Sequence, residues 1–78
     1  MKTTEVIDYM VIGVEVSEDK LDLYRSITRK SETITNEVES IEQFCKSLKK
    51  LKTPVMVVME ATGGYETLLV RALNRFRL

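Results

Sequence analysis

VMVVMEATGG, residues 55–64, is the stretch that decides the fold class of this 78-residue chain. Its five leading residues are all apolar, which is typical of a strand buried in the middle of a sheet. Glu60 ends the run, and Gly63 and Gly64 then predict a tight turn, because glycine adopts backbone conformations that other residues resist. From Leu68 to the chain end, apolar residues recur at three- and four-residue steps, which indicates a helix. The stretch therefore predicts strand, turn and helix in an α/β fold.

Three further strands are predicted before this stretch. The nearly continuous apolar run at residues 9–16 suits a strand covered on both faces. Residues 20–27 alternate between apolar and polar, which suits a half-buried strand joined to the first in an antiparallel hairpin. Residues 32–38 form a shorter β-prone run, and residues 1–8 are expected to be a loose lead-in. The N-terminal half is therefore predicted to be a three-stranded meander.

A helix connects this meander to the buried strand. Apolar residues recur at helical spacing from Ile41 onward. Ser40 and Gln43 match a capping box, and Pro54 ends the helix. The predicted order is thus β-β-β-α-β-α, in a mixed sheet with the helices packed on it. Since a helical crossover returns the chain in the same direction, we expect the fourth strand to lie parallel to the first and beside it.

Composition favours a cytoplasmic globular protein with one domain, residues 1–78. Apolar residues make up 44% and charged residues 31% of the chain, which argues against disorder. A formal net charge of zero gives no bulk electrostatic case for nucleic acid or an anionic membrane. No apolar stretch approaches the roughly 20 residues that span a bilayer, and the polar residues after Lys2 predict that there is no signal peptide. The single cysteine, Cys45, falls on the apolar helix stripe and is expected in the core.

Two carboxylates form the candidate chemical site. Glu15 lies near the end of the first strand and Glu60 ends the fourth, so both are expected at the sheet edge where ligands of open α/β sheets usually bind. Mg²⁺ is commonly held by one or two carboxylates plus substrate phosphates, and paired ions can assist phosphodiester chemistry. The alternative for Glu60 is a solvated acid at a strand end. Glu15, inside an apolar strand, must either pair or face an open cleft.

The loop after Glu60 offers weaker candidates. We name Thr62, Gly63, Gly64 and Tyr65 as candidate nucleic-acid contacts, because the small residues and the glycines would let a nucleic-acid backbone approach closely. Tyr65 could stack on a base or simply pack. Gly63 could also cap the last helix with Glu66 as its third residue, but that acid would oppose a bound phosphate. No nucleotide-binding motif of the GxGxxG or P-loop type occurs, and the four lysines at positions 46–52 favour a solvated helix end.

Two blocks of sequence resemble one protein family. IGVEVSEDKLDLY (12–24) and VVMEATGGYE (57–66) resemble the N-terminal domain of the DEDD-type insertion-sequence transposases, which include bridge-RNA-guided recombinases and pilin-gene-inverting proteins. The usual opening of that family looks like G-I-D-V-S-K-D-x-L-D and its second block like E-A-T-G-x-Y-E. The second block matches without a gap from Glu60 to Glu66. The resemblance covers roughly residues 9–78.

The resemblance implies a RuvC-like fold of the ribonuclease H superfamily. It also implies that Glu15 and Glu60 bind Mg²⁺ and act in DNA strand cleavage, with DNA and a guide RNA as partners of the full-length enzyme. Glu15 departs from the family, which has aspartate there, and a shift of ~1 Å at a catalytic centre can cost about 100-fold. The later acidic residues, the coiled coil and the domain with a catalytic serine are missing after residue 78, so we expect a truncated, inactive piece.

Competing functional hypotheses remain beside this one. The first is a non-catalytic oligomerisation or interaction module, a relic of a mobile element. An actin-like ATPase lobe would need a glycine-rich phosphate hairpin after the first strand, and EVSEDKL (15–21) contains no glycine. Because the strand at 55–59 is apolar and lacks a guarding charge, we expect a homo-oligomer formed through its free edge or through the last helix.

Overall fold

The computed structural model describes residues 9–26, 28–60 and 63–78. It confirms the α/β class and the predicted order β-β-β-α-β-α. The predicted lead-in, residues 1–8, lies outside the described residues. The elements are β1 Met10–Val16, β2 Lys20–Arg25, β3 Lys30–Thr35, α1 Val38–Leu51, β4 Val55–Met59 and α2 Thr67–Arg75.

The four strands form one mixed sheet in the order β3-β2-β1-β4. β1 is antiparallel to β2, which is antiparallel to β3, as the short turns between them require. β4 returns after α1 and pairs with β1 in parallel, from Met10 opposite Val55 to Val14 opposite Met59. The prediction that the fourth strand lies beside the first and parallel to it is therefore confirmed, and it brings the C-terminal ends of these two strands together.

One face of the sheet carries both helices and holds the core. Alternate residues of a strand point to the same face, so Ile12 and Val14 of β1 lie beside Leu21 and Leu23 of β2, all buried. Complete burial of one large aliphatic side chain stabilises the fold by about 1.5–3 kcal/mol. The helices complete this layer with their own buried residues: Ile41, Phe44, Cys45, Leu48, Leu69 and Ala72.

The opposite face of the sheet, here called the open face, is not covered by any element of the described residues. Its side chains are those of the alternate strand positions: Val11, Gly13, Glu15, Lys20, Asp22, Tyr24, Ser31, Thr33, Met56 and Val58. Tyr24, Met56 and Val58 are 47%, 49% and 53% exposed. A β-carbon added to Gly13 would meet no atom within 4 Å, so the centre of this face is bare.

The boundary between β3 and α1 was predicted wrongly. The strand predicted at 32–38 is Lys30–Thr35, and the helix predicted from Ile41 begins at Val38. Glu37, in extended backbone, precedes the first helical turn, and its side chain makes no cap hydrogen bond. The predicted capping box at Ser40 is absent, because the Ser40 hydroxyl hydrogen-bonds to the Thr35 hydroxyl of β3.

Other element ends differ by smaller amounts. β2, predicted over 20–27, ends at Arg25, and Ile27 lies outside the described residues. α1 ends at Leu51, before Pro54 as predicted. α2 begins at Thr67 and is preceded by Glu66 as its cap residue, so Gly63 is not the N-cap. Neither helix of the described residues is long and apolar enough to cross a membrane.

Candidate functional site

The candidate carboxylates Glu15 and Glu60 lie at the same end of neighbouring parallel strands. The paired residues of β1 and β4 end with Val14 opposite Met59, so the next residue of each strand is one of the two glutamates. Residues in register on parallel strands point to the same face, which here is the open face. Both side chains are exposed, and both line one shallow cavity of about 270 Å³. The topology therefore brings together the two acids that the sequence singled out.

Asp22 is a third carboxylate of this cavity, and the sequence analysis did not propose it. It lies directly opposite Glu15 in the antiparallel pair of β1 and β2 and lines the same cavity. Its Oδ1 accepts a hydrogen bond of 2.6 Å from Thr33 Oγ1 on β3, which orients the carboxylate from the far side. The alternation of residues 20–27 predicts that Asp22 lies on the polar face of its strand. Only the register with β1 shows that it lies opposite Glu15.

Charge in this cavity is mixed. Like charges directly opposite each other on an antiparallel ladder destabilise a sheet, and Glu15 faces Asp22 in this way. Lys20 also lines the cavity and supplies a compensating cation. Among residues 9–26, 28–60 and 63–78, no group of three or more His, Cys, Asp or Glu side chains is arranged to hold a metal ion. The cavity thus offers oxygen donors of the kind Mg²⁺ prefers, but no three of the described side chains are arranged around one point.

The glycine turn beside this cavity has a clear backbone requirement. Gly63 and Gly64 have φ values of 67° and 97°, in the left-handed region. The Gly64 N–H donates to Glu66 Oε1 at 3.2 Å. The Gly64 carbonyl accepts from the Thr67 N–H at 3.1 Å and from Thr67 Oγ1 at 2.8 Å, which connects the turn to the start of α2. Both glycines therefore have a structural role that is independent of any nucleic acid.

The remaining loop candidates are placed only in part. Thr62 lies outside the described residues. Tyr65 is 47% exposed, so its ring does not pack into the core and is open to solvent beside the turn. Its backbone carbonyl accepts a hydrogen bond of 3.0 Å from Asn36 Nδ2. Both alternatives for Tyr65, stacking on a base and packing against neighbouring residues, stay predictions.

Asn36 connects the two turns that border the cavity, and the sequence analysis did not single it out. Its Nδ2 donates to the carbonyl of Ser17 at 2.9 Å and to that of Tyr65 at 3.0 Å. Its backbone N–H donates to the carbonyl of Asp19 at 2.9 Å. Its Oδ1 is buried and has no hydrogen-bond partner in the described part of the chain. An asparagine between a strand and a helix is a turn signal, but its long-range partners have no signature in the sequence.

The thiol of Cys45 is not a candidate nucleophile. It is fully buried in the helix layer, as expected for a residue on the apolar stripe of α1. Desolvation by burial raises the pKa of the Cys45 thiol; Glu42 raises it as well, while Arg75 lowers it. Since the thiolate is the reactive form, a buried thiol with a raised pKa is inert.

A second cavity, of about 410 Å³, lies at the other end of β4 and is basic. Lys49, Lys52 and Arg77 line it together with residues around Pro54. All three cationic residues are exposed. This supports the interpretation of the lysines as a solvated helix end, and it places positive charge at the N-terminal end of β4. We call the group Lys49, Lys52 and Arg77 the basic end. We call the group Glu15, Asp22 and Glu60 the acidic end.

Comparison with known proteins finds no matching family model, no matching curated protein and no matching solved structure. Function is therefore inferred from the cavity at the acidic end and from the two sequence blocks that contain its glutamates. Those blocks, IGVEVSEDKLDLY (12–24) and VVMEATGGYE (57–66), contribute β1, β2 and the end of β4 to the cavity wall.

Proposed function

We propose that this chain is the N-terminal, RuvC-like part of a metal-dependent DNA transposase or recombinase of the DEDD type, and that it is inactive by itself. The observation that carries the proposal is the placement of Glu15 and Glu60, which line one cavity at the ends of neighbouring parallel strands. These are the positions on which the acids of the resembling family fall.

The strand order supports the finer assignment of a ribonuclease H-like fold. A meander of three strands, followed by a helix and a fourth strand beside the first, is the arrangement that the resemblance implies. In open α/β sheets, ligands bind outside the carboxyl ends of the strands, and the acidic end lies at the carboxyl ends of β1 and β4. A substrate backbone would approach from the open face, where no described element blocks it.

The donor chemistry fits a weakly held Mg²⁺. Carboxylate oxygens are its usual protein ligands, with water and substrate phosphates completing the octahedral shell. Glu15 and Glu60 would hold the ion, and Asp22 adds negative charge at the same cavity. When bound, the metal neutralises charge that develops on a phosphodiester and lowers the pKa of an attacking water. Oriented by Thr33, the Asp22 carboxylate can raise the local concentration of cations.

A non-catalytic interaction module is the second candidate function. The exposed apolar side chains Tyr24, Met56 and Val58 on the open face favour it, since exposed apolar surface marks interaction sites. The lack of a three-carboxylate metal cluster in the described residues is compatible with it as well. The two candidates differ in whether a divalent cation binds at the acidic end.

Paramagnetic broadening by Mn²⁺ tests the proposed metal site. We expect Mn²⁺ added to ¹⁵N-labelled protein to broaden amide signals around Glu15, Asp22 and the glycine turn first, with weak affinity on the order of millimolar. Glu15→Gln or Glu60→Gln should each reduce this broadening strongly, because each substitution removes an anionic ligand and leaves a side chain of similar shape.

Glu18→Gln is the matched control. Glu18 is an exposed acid in the turn between β1 and β2, near the cavity but not lining it, so its substitution should leave the broadening in place. Broadening that persists in both Gln variants, or that centres on other acids of the surface, would rule out the metal site and favour the interaction module.

A further inference from the structure

Within the sheet that the described residues form, β4 is an edge strand, and part of its backbone faces away from the sheet. In the sheet of the described residues, β4 has β1 on one side and no strand on the other. The Met10 N–H donates to the Pro54 carbonyl at 2.9 Å, which fixes the phase of the parallel ladder. Successive residues of a strand direct their backbone groups to opposite sides. The residues whose N–H and C=O groups point to the free edge are therefore Val55, Val57 and Met59.

The side chains of β4 make this edge prone to pair with another strand. β4 contains no charged residue, and Met56 and Val58 are half exposed on the open face. Natural edge strands are usually guarded by charges, bulges or proline, and here Pro54 protects only the start. β3, at the opposite edge, has the sequence KSETIT with charges at Lys30 and Glu32. The two edges of the sheet thus differ, and only β4 is suited to pairing with another strand.

We propose that β4 pairs with β4 of a second copy of this chain, antiparallel and centred on Val57, to form one sheet that continues through both copies. In this register Val57 lies opposite Val57 of the second copy, and Val55 lies opposite Met59 of the second copy. The backbone N–H and C=O groups that point to the free edge then face each other and form about six ladder hydrogen bonds. On the open face, Met56 lies beside Val58 of the second copy, which removes exposed apolar surface from water.

Charge complementarity selects a second copy in antiparallel orientation. The basic end lies at the N-terminal end of β4 and the acidic end at its C-terminal end. A two-fold axis through Val57 brings the basic end of each copy alongside the acidic end of the other. The basic end lies on the helix face, beside Leu48 and Val55, and the acidic end lies on the open face, so charges of opposite sign meet across the edge of the sheet at both ends of the paired strands.

The exposed flank of α2 is less suited to the same role. α2 packs chiefly against α1. Among its described residues, Val70 is the one large apolar side chain that is exposed, at 39%. Arg71 and Arg75 are exposed on the same helix, and such charges are depleted at the centres of stable interfaces. The edge of β4 is therefore the surface to which we assign self-association.

Sedimentation equilibrium of the 78-residue chain tests this inference independently of the metal site. We expect a dimer of the 9.0 kDa chain, and we expect Val57→Pro to raise the dimer Kd about 10- to 100-fold, because it removes one edge-directed donor from each copy. The N–H of Val57 makes no bond to β1, so the ladder within each copy is retained. Ser31→Pro is the control: its N–H points to the outer edge of β3, and the dimer should persist.

Charge exchange supplies a second measurement if Val57→Pro does not fold. Lys52→Glu and Glu60→Lys should each weaken the dimer, because each places like charges at neighbouring ends of the two copies, and the double variant should restore it, because the neighbouring ends again carry opposite signs. A monomer at all concentrations, a dimer unaffected by a folded Val57→Pro, or single charge changes without effect would each overturn the proposal. Mn²⁺ broadening is followed on the unaltered chain and on Val57→Pro, which leaves every acidic residue in place, so the two proposals fail separately.

Discussion

Gly13 and Gly64 show at the scale of single residues how backbone conformation decides the effect of the same substitution. Gly13 lies in β1 on the open face, its φ is not left-handed, and an added β-carbon would meet no atom within 4 Å. We expect Gly13→Ala to stabilise the protein by about 0.4–1 kcal/mol, because alanine loses less backbone entropy on folding. Gly64 has φ 97°, so Gly64→Ala should destabilise it by about 1–2 kcal/mol.

Urea unfolding followed by circular dichroism measures both changes on the same protein, and each variant is the control for the other. A loss of stability in Gly13→Ala would contradict the description of the open face, since it would mean that something occupies the space above β1. An unchanged Gly64→Ala would mean that the turn can relax out of the left-handed region.

The sequence predicts a residue of the candidate site only where the position of that residue along its own strand is enough to place it at the cavity. Glu15 and Glu60 end apolar runs, and the crossover rule makes their strands neighbours, so their juxtaposition follows from the sequence. Asp22 lies at the same cavity because the register of β1 and β2 places it opposite Glu15. Asn36 connects the neighbouring turns through hydrogen bonds to two carbonyls that are distant in sequence. Such contacts depend on how elements are aligned, which composition and periodicity do not encode.

At the scale of elements, the junction of β3 and α1 shows why a local pattern misled. Ile34, Thr35 and Val38 are β-branched, which favours a strand through position 38. Val38 is nevertheless 50% exposed in the first turn of α1. Its apolar side chain is therefore not buried as it would be in a strand of the sheet. Ser40 carries the signature of a cap, but the nearby Thr35 hydroxyl is its partner instead. Here tertiary neighbours override propensity.

Asn36 determines how the turns around the cavity are held together. Asn36→Ala removes the two Nδ2 hydrogen bonds and leaves the carbonyls of Ser17 and Tyr65 without this donor. We expect a loss of about 1–3 kcal/mol in the free energy of unfolding, typical of an unsatisfied polar group. Hydrogen exchange should accelerate in the glycine turn, because the connection between this turn and the start of the β1–β2 loop is lost.

Asn74→Ala is the matched control, since Asn74 is an exposed residue of α2. Its substitution should change the free energy of unfolding by less than about 0.5 kcal/mol. Equal effects of the two substitutions, or exchange that accelerates throughout the sheet and not at the turns, would show that Asn36 has no specific connecting role.

At the scale of the whole molecule, zero net charge conceals a separation of charge. The chain has 12 basic and 12 acidic residues, yet the two ends of β4 carry opposite signs. Net charge is a sum over the surface, whereas steering and association depend on where the charges lie. A neutral composition therefore does not decide against nucleic-acid contacts or self-association, and it is the fold that gives the charges their positions.

The last prediction concerns activity of the 78-residue chain alone. We expect no Mg²⁺- or Mn²⁺-dependent nicking of supercoiled plasmid DNA, because in the described residues no three acidic groups are arranged to hold one ion, and two carboxylates leave most of an octahedral shell to water. The matched sample is the double variant Glu15→Gln, Glu60→Gln, purified in parallel. Nicking common to both samples indicates a contaminating nuclease. Nicking by the unaltered chain that disappears in the double variant would contradict the prediction, and it would mean that the acidic end is already a working catalytic site.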